Sequence, residues 1–258
     1  MPLPAERESL PFPDILESVG KLATPDAIWL KDGAEKRASV QRMFADIAPT
    51  YDRLNGLMSI SQHGRWRGLA VQKLELKPGD RALDVCCGTG DFMVPLGKAV
   101  GEKGLVYGVD FCLPMLSLAM EKITGEVALG DACRLPIASA AFNAVSVGWG
   151  IRNVPDIDGA HKEIFRVLKP GGRFVSLDMA QPANGLVRAF SSLFNLRIVP
   201  MMGAMFGKRE AYTYLPKSTE RFKTREELKA SMERTGFVDV SWKNLMMGNI
   251  CIHWGRKP

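Results

Sequence analysis

Two side chains that can do chemistry, Arg152 and Asn153, stand at the end of an apolar run. The run is VSVGWGIRNV, residues 145–154, and its first half has the character of a buried strand. A guanidinium at a strand end is a fixed positive charge that favours a phenolate or oxyanion, and an amide can orient a water molecule. The alternative is structural, with Arg152 paired to Asp156 or Asp158 to fasten a loop. The residues alone favour this structural role.

A second group of candidates stands at the ends of the first three predicted strands. LDVCCGTGDF contains Gly88 and Gly90, which allow a tight turn in which the backbone approaches a ligand. Asp110 follows Gly88 by 22 residues, where a carboxylate accepts hydrogen bonds from ribose hydroxyls. Asp131, in GDACRLP, can accept a hydrogen bond from an adenine amino group. The glycine turn alone is equally typical of an ordinary strand–helix connection, whereas the series of a turn and two acids indicates a nucleoside site.

The surroundings of the turn limit which nucleoside compound binds there. The dinucleotide fingerprint needs a third glycine, and Met93 occupies that position. Asp91 opens the following helix, where its charge repels a pyrophosphate, and the chain has no G-x-x-x-x-G-K-[ST] loop. A ligand with adenosine and a cationic, phosphate-free remainder fits, and S-adenosylmethionine is such a compound. Asp84 and Asp91 suit its sulfonium and ammonium charges, although Asp91 can equally stabilise the helix N-terminus.

Alternating strands and helices from about residue 81 must position these side chains. Helices are predicted after Gly90, over about 112–123 and over about 157–168, and LKPGG is predicted as a turn before the fifth strand. Short apolar strands with helical crossovers are typical of a parallel sheet covered on both faces. An apolar helical region (about 183–206) and a helix in TREELKASMERTG follow. The predicted strands are RALDVC, LVYGVD, EVALGD, FNAVSVGW, RFVSLDMA, FVDVSW and GNICIHW.

The pattern divides the chain into a leader, residues 1–38, and a single domain, residues 39–258. The leader is rich in Pro, Asp and Glu without sustained periodicity, and we expect it to be poorly ordered. Ser39 has the character of an N-cap that opens the first helix of the domain. The domain has three predicted parts: N-terminal helices (39–78), a cofactor-binding core (79–182), and a substrate-side cover with the closing strands (183–258).

Composition and charge exclude several classes of protein. The chain has 258 residues, of which 46% are hydrophobic and 24% charged, as is typical of a globular protein. Its net charge is +6, and residues 199–258 hold eleven Lys and Arg against six Asp and Glu. Such a region suits an anionic substrate, a bilayer surface or an ordinary solvated face. No apolar run approaches the roughly 18 residues of a membrane span, and the N-terminus lacks the pattern of a signal peptide.

Cysteine and histidine placement restricts the function further. The five cysteines form no C-x-x-C pair, which predicts reduced thiols and a cytoplasmic protein. His63, His161 and His253 lack the spacing of metal ligands, and we therefore expect no metal site. We also expect no nucleic-acid partner.

The assembled motifs resemble those of known enzymes. LDVCCGTGDF, VYGVDF, GDACRLPIASAAFNAV and RVLKPGGRFV resemble the class I S-adenosylmethionine-dependent methyltransferases. Over about 39–256 the chain is similar to the ubiquinone/menaquinone biosynthesis C-methyltransferase family, through FADIAPTYDRLNGLMSISQHGRWR, GWGIRNVPD and REAYTYLPKSTERFKTREEL. The resemblance implies an α/β, Rossmann-like, doubly wound sheet of seven mostly parallel strands, with an antiparallel last strand and N-terminal lid helices. It also implies methylation of a ring carbon of a polyprenylated quinol, either demethylmenaquinol or the methoxybenzoquinol of the ubiquinone pathway.

The resemblance implies cofactor contacts for individual residues. Thr89 contacts the cofactor in the glycine turn, Asp110 contacts the ribose, and Asp131 with Ala132 contacts the adenine. Gly148 occupies a position that is often Ser in the family, so a side-chain contact to the cofactor is lost or replaced there.

The resemblance favours a catalytic role for Arg152 and Asn153 over the structural role that the residues alone suggest. The family motif G-[LI]-R-N-V is GIRNV here, residues 150–154, and it places Arg152 and Asn153 at the reaction. An unperturbed phenol has a pKa of about 10. Arg152 would favour the phenolate, which makes the ring carbon electron-rich, and Asn153 would orient a water or the ring oxygen.

Other side chains are candidates for the substrate pocket, and each has a structural alternative. His63 can act as a base because its pKa is near neutral, or it can cap a helix. The tyrosines can line the ring pocket or fill the core. The candidates are Tyr51, Asp52, Asn55 and His63 in the N-terminal helices, and Tyr212 and Tyr214 in REAYTYLP.

The segment 186–206 is apolar and Met-rich. Such a surface suits a polyprenyl tail or the inner face of a bilayer, and it equally suits a helix that covers the sheet. We expect peripheral membrane contact, and a homodimer or a quinone-biosynthesis complex. Three other functions stay open: methylation of another small lipophilic acceptor, a non-catalytic subunit, and a nicotinamide-dependent dehydrogenase, which Met93 disfavours.

Overall fold

The computed structural model describes residues 28–59, 62–123, 125–205, 207 and 209–258. Within these residues seven strands form one sheet in the order β3-β2-β1-β4-β5-β7-β6. Strands β1 to β5 pair in parallel, and β7 is antiparallel to both of its neighbours. The predicted doubly wound sheet with an antiparallel last strand is confirmed. The strands are β1 (Arg81–Val85), β2 (Leu105–Asp110), β3 (Glu126–Leu129), β4 (Phe142–Gly148), β5 (Leu168–Met179), β6 (Val238–Leu245) and β7 (Ile250–Arg256).

Helices cover both faces of this sheet and its carboxyl edge. In the described residues they are α1 (Gly33–Ile47), α2 (Tyr51–Met58), α3 (His63–Gln72), α4 (Met93–Val100), α5 (Leu113–Lys122), α6 (Ile157–Val167), α7 (Gly185–Leu193), α8 (Val199–Met205), α9 (Arg209–Glu220) and α10 (Arg225–Thr235). A π-helical segment, Phe194–Ile198, joins α7 to α8, and a short 3-10 turn, Ile151–Asn153, follows β4.

Local sequence signals fix several helix ends. Thr224 and Glu227 form a capping box at the start of α10, and Gly236 ends that helix in the left-handed conformation with φ 112°. Asp156 caps α6 by accepting a hydrogen bond from the backbone of Gly159 at 2.8 Å. The predicted helices in these two segments are confirmed.

Three details of the predicted elements are wrong. Helix α1 begins at Gly33, with Asp32 before it in an extended conformation, and Ser39 is a buried helical residue that accepts a hydrogen bond from Lys31. After Gly33 the first turns of α1 read AEKRA, a run of helix formers with no apolar stripe, so periodicity gives no signal there. Residues 1–27 of the predicted leader lie outside the described residues.

The second and third errors concern proline. LKPGG belongs to β5 as a bulge, because the pairing with β4 shifts between Phe142 and Ala144. Helix α9 was not predicted at all, because Pro216 lies inside it and proline usually ends a helix. The division of the chain into functional parts stays a prediction.

The N-terminal helices form a lid over the carboxyl edge of the sheet. Helices α1 and α2 pack with α5, α8 and α9 in one apolar cluster, in which Val40, Ile47, Met115, Tyr212 and Tyr214 are buried. Two further clusters fill the faces of the sheet. Among the described helices, none is both long and apolar enough to cross a bilayer.

Candidate active site

The turn after β1 is a left-handed loop held by the neighbouring strand. Cys86, Gly88 and Gly90 have φ values of 58°, 55° and 80°. A Cβ atom on Gly90 would lie 2.9 Å from a methyl carbon of Ile123, so this position also requires glycine for space. The backbone N–H of Gly88 donates to the carboxylate of Asp110 at 2.9 Å, which fixes the turn against the end of β2.

A cleft opens beside this turn, with a volume of about 720 Å³ that includes its open mouth. It brings together residues that were predicted separately from the ends of β1, β2, β3 and β4. The predicted residues that line it are Gly88, Asp110, Asp131, Ala132, Gly148, Asn153 and Tyr51. Further lining comes from positions that the sequence did not single out, namely Arg37, Phe44, Cys86, Met115 and Trp149.

Three predicted cofactor residues lie behind the cleft surface. Asp84 is buried and accepts a hydrogen bond from the Ser146 hydroxyl at 2.7 Å. Thr89 is buried and donates to Asp52 of the lid at 2.6 Å. Gly90 shapes the turn. Of the residues that the structure describes, these three are not part of the lining, so any contact of Asp84 or Thr89 with a ligand needs a rearrangement.

Burial raises the pKa of both strand-end acids on β1 and β2. The pKa of Asp84 is raised to about 7, although the hydrogen bond from Ser146 opposes the shift. The pKa of Asp110 is raised to about 6, and the backbone N–H groups of Gly88 and Cys112 oppose it. A positively charged ligand nearby lowers such pKa values, because it stabilises the ionised carboxylates.

The lid reaches the cleft at Asp131. One carboxylate oxygen of Asp131 accepts from the backbone of Cys133 at 2.9 Å, and the other pairs with Arg37 of α1 at 2.6 Å. The sequence did not predict Arg37, since nothing local distinguishes it from other charged residues of α1. The pair joins the lid to the edge at which the adenine contact was predicted.

The end of β4 is tightly constrained. A Cβ atom on Gly148 would lie 2.6 Å from the ring of Phe92, which is buried. The space that a serine side chain would occupy is therefore filled by this ring. Trp149 follows in the left-handed conformation with φ 58°, which is uncommon for a residue with a side chain.

Arg152 is buried and paired with Asp178, the last residue but one of β5. Its Nη1 also donates to the carbonyl oxygen of Trp149 at 2.9 Å, and its Nε donates to the Ser218 hydroxyl at 3.3 Å. Burial raises the pKa of Asp178, and the charge of Arg152 opposes the shift. The alternative pairing of Arg152 with Asp156 or Asp158 is wrong.

Asp156 and Asp158 are engaged in other contacts. Asp156 caps α6, and Asp158 accepts hydrogen bonds from Ser231 and Arg234. Asp178 was missed, although its signal was the same as that of Asp110: a lone acid at the end of an apolar strand, in SLDMA.

Asn153 connects the cleft to a buried tyrosine. Its amide nitrogen donates to the carbonyl oxygen of Trp149 at 3.2 Å, and its amide oxygen accepts from the Tyr214 hydroxyl at 2.9 Å. Burial raises the pKa of Tyr214 to about 12, with Arg152 opposing. Burial also raises the pKa of Tyr212, whose buried hydroxyl has no hydrogen-bond partner among the described residues.

Tyr51 faces the cleft from the lid, and burial raises its pKa against a hydrogen bond with Asn55. Asn55 does not itself line the cleft and supports Tyr51 from behind. The backbone oxygen of Asn55 accepts a hydrogen bond from the Ser59 hydroxyl at 2.7 Å. The YDRLN segment therefore presents one side chain, Tyr51, to the cleft and another, Asp52, to the glycine turn.

His63 belongs to a charged network between the lid and the turn. Its ring contacts Arg67, and Arg67 pairs with Asp91 at 2.9 Å. Lys122 of α5 pairs with both Asp91 and Asp52. Burial, followed by the charge of Arg67, lowers the pKa of His63, which disfavours its protonated form. Among the described residues no group of three His, Cys, Asp or Glu side chains is gathered as metal ligands would be.

The sheet order, the glycine turn after β1 and the acids after β2 and β3 define the class I S-adenosylmethionine-dependent methyltransferases. The cleft fits this cofactor, because the backbone of Gly88 and two acids in series, Asp110 and Asp131, line it and no phosphate-binding loop is present in the sequence. A crystal structure titled as a SAM-dependent methyltransferase, possible histamine N-methyltransferase, from Thermotoga maritima has the same fold. It aligns with a TM-score of 0.61 at 20% identity, over 84% of this chain and 99% of that one.

The chain belongs to the ubiE/COQ5 methyltransferase family, whose model matches residues 31–257. It is 42% identical over 235 residues to a demethylmenaquinone methyltransferase of Desulfitobacterium hafniense, covering 88% of this chain and 92% of that protein. It is 39% identical to the demethylmenaquinone methyltransferase of Staphylococcus aureus, covering 88% of this chain and 97% of that protein. The chain is therefore a methyltransferase that uses S-adenosylmethionine, as the sequence predicted.

Proposed function

We propose that the protein transfers a methyl group from S-adenosylmethionine to a ring carbon of demethylmenaquinol. The family and the two relatives named above support this substrate. The structural observation that carries the proposal is the position of Asn153. Asn153 lines the same cleft as Gly88, Asp110 and Asp131, and its amide oxygen accepts a hydrogen bond from Tyr214.

In the proposed reaction the ring carbon forms a bond to the methyl group as the bond between methyl and sulfur breaks. Bound S-adenosylmethionine would supply the methyl group and leave as a neutral thioether. The ring would then lose its carbon-bound proton to water, which restores aromaticity. A neighbouring ring oxygen in its phenolate form supplies the electron density. The donors that stabilise that oxygen must be preorganised, because reorganisation at the moment of reaction costs free energy.

The pairing of Arg152 modifies its proposed role. Asp178 balances much of its charge, so Arg152 does not act as an isolated cation. Instead, both Arg152 and Asn153 hold the carbonyl oxygen of Trp149, which fixes the strained end of β4. We therefore assign Asn153 as the residue that touches the ring or its water, and Arg152 as a positioning residue that contributes a partly balanced positive charge.

The decisive experiment offers purified protein S-adenosylmethionine and two reduced acceptors with short prenyl tails, a demethylmenaquinol and a methoxybenzoquinol. Product mass and fragmentation report whether one methyl is gained on ring carbon. Faster methylation of the demethylmenaquinol supports the proposal, and preference for the methoxybenzoquinol assigns the ubiquinone pathway instead. No transfer to either acceptor, with cofactor binding demonstrated in the same sample, contradicts the proposal.

We also infer that the protein contacts a bilayer through one apolar surface at the carboxyl edge of the sheet. Helix α7 exposes Leu186 and Phe190 by 85% and 71%, and Met247 in the β6–β7 turn is 75% exposed. The turn is joined to the end of β5, just before α7, by a hydrogen bond from Ala180 to Asn249. Exposed apolar side chains of this size mark an interaction surface, and a polyprenylated substrate resides in a bilayer.

Co-sedimentation with phospholipid vesicles tests this contact. The variant L186S/F190S should lose binding, whereas L113S/M120S, which removes two exposed apolar side chains from α5, should retain it. Equal binding by both variants contradicts the inference. If wild type is a dimer and L186S/F190S is a monomer that still binds vesicles, the surface is instead assigned to a second copy of the chain.

A further inference from the structure

Two acids at the cofactor edge are held in the same local way. One carboxylate oxygen of Asp110 accepts from the backbone N–H of Cys112, and one oxygen of Asp131 accepts from that of Cys133, each at 2.9 Å. The second oxygen of Asp110 accepts from the backbone of Gly88, a neutral donor, at 2.9 Å. The second oxygen of Asp131 is held instead by a charged side chain of the lid.

That side chain is Arg37 of α1, whose Nη1 lies 2.6 Å from the carboxylate of Asp131. Both residues line the cleft. One helical turn further along α1, the side-chain amide of Gln41 donates to the carbonyl oxygen of Phe111, which follows Asp110 and also lines the cleft. Residues four apart lie on the same face of a helix. This face of α1 therefore rests on the segments that follow β2 and β3, where adenosine is expected.

The charge of Arg37 gives Asp131 a counter-ion that a bound base does not displace. A carboxylate has about four lone-pair sites, so the oxygen beside Arg37 can also accept a hydrogen bond from an amino group. The side chains of Arg37 and Asp131 are 48% and 27% exposed, so a ligand in the cleft can remove water from both. A carboxylate that loses water without keeping a partner is costly, and Arg37 offsets that cost.

We propose that Arg37 is a positioning residue for the cofactor, which holds and balances the Asp131 carboxylate while that carboxylate accepts the amino group of adenine. The base and the lid then share one carboxylate, so closure of α1 and binding of adenosine support each other. This role rests on the expected adenine contact of Asp131 and not on the quinol acceptor. Methyl-transfer assays and cofactor titrations can therefore fail separately.

Calorimetric titration with S-adenosylhomocysteine tests this role in a double-mutant cycle of R37Q and D131N. R37Q should lower the affinity by about fivefold, the size expected for one partly exposed ion pair. In the D131N background R37Q should have no further effect, because a neutral amide needs no counter-charge. 5′-Methylthioadenosine carries the base and the ribose without the amino acid, and it should show the same loss in R37Q.

Two further variants separate a counter-charge from a merely structural role. R37K keeps the charge and should bind with nearly wild-type affinity. R42Q is the matched control, because Arg42 is exposed on the same helix and donates to Ser39 of that helix. Unfolding temperature without ligand checks that each variant is folded, and R37Q should match wild type in this measurement.

An unchanged affinity in R37Q, or an equal loss in R42Q, overturns the proposal. A loss in R37Q that persists in the D131N background also overturns it, because Arg37 then acts on a group other than Asp131. An equal loss in R37K and R37Q, with both proteins folded, has the same consequence.

Discussion

Thr89 of the glycine turn donates a hydrogen bond to the carboxylate of Asp52 on helix α2, at 2.6 Å. The same carboxylate pairs with Lys122 of α5 at 2.8 Å. One lid side chain thus contacts both the cofactor turn and the helix that follows β2. The contact gives Asp52, which the sequence placed among substrate-pocket candidates, a role in closing the lid.

Replacement of Asp52 by Asn should weaken cofactor affinity by about fivefold, because a partly exposed ion pair contributes about 1 kcal/mol at most. The variant should remain folded, since Asp52 lies at the surface of the lid. Calorimetric titration with S-adenosylmethionine measures the effect. Asp239→Asn is the matched control, because it removes an exposed, paired carboxylate at the far end of the sheet. Equal affinities in the two variants would show that the lid contact is irrelevant to binding.

Removal of the partner of Arg152 should be costly. Asp178→Asn leaves a buried guanidinium without its counter-charge, and breaking such a pair typically costs about 3–5 kcal/mol. Denaturant unfolding measures the loss. The double variant R152M/D178N should recover part of that stability while methyl transfer stays low. If D178N alone is as stable as wild type, the pair does not hold the end of β4.

The affinity for S-adenosylmethionine should fall as the pH is lowered from 8 to 5.5. The pKa values of Asp84 and Asp110 are raised to about 7 and about 6, so both carboxylates lose their charge in this range. S-adenosylhomocysteine lacks the sulfonium charge and should respond less. Parallel titrations of both ligands give the ratio of their affinities at each pH. A ratio that stays constant, or that changes equally in Asp84→Asn, contradicts this account.

Folding stability should decrease in acid because of His253. Burial lowers its pKa to about 4, against 6.5 in the unfolded chain, so the unfolded state binds more protons between these values. Stability is therefore complete above about pH 6.5 and is lost as the pH falls toward 4, by up to about 3 kcal/mol. His253→Gln can keep the hydrogen bond to the carbonyl oxygen of Arg225. The slope of unfolding free energy against pH should be smaller in this variant than in wild type.

Gly148→Ala should destabilise the protein and weaken cofactor binding, because the new methyl group meets the ring of Phe92 at 2.6 Å. Overpacking of this kind costs about 1–3 kcal/mol. The second substitution Phe92→Leu should restore part of both properties. Gly97→Ala is the control, since a Cβ there meets nothing within 4 Å inside α4. Thermal unfolding and cofactor titration are compared for wild type, G148A, G148A/F92L and G97A. If G148A matches G97A in both measurements, the contact with Phe92 does not limit position 148.

The cofactor edge of the fold was predictable because its signals are local. Asp110 ends β2, and Gly88 and Asp131 lie just after β1 and β3; parallel strands bring their carboxyl ends to one edge. The register of the sheet then gathers these residues without further information. The order of strands and the antiparallel direction of β7 followed from the resemblance, which carries topology that periodicity does not.

The contacts around Arg152 were not predictable in the same way. Its partner Asp178 lies on the next strand, and Tyr214, which bonds Asn153, lies on a helix that the sequence pattern missed. These pairings depend on how α9 packs over the sheet edge, and no local spacing encodes that packing. The internal Pro216 further concealed α9, since helix signals usually stop at proline.

The contact between Gly148 and Phe92 also limits how this sequence can evolve. A larger residue at position 148 is tolerated only after the ring at position 92 has become smaller, so the order of the two substitutions matters. Two combinations fit the space without overlap: a bare backbone beside an aromatic ring, or a side chain beside a smaller neighbour. We therefore expect positions 92 and 148 to change together.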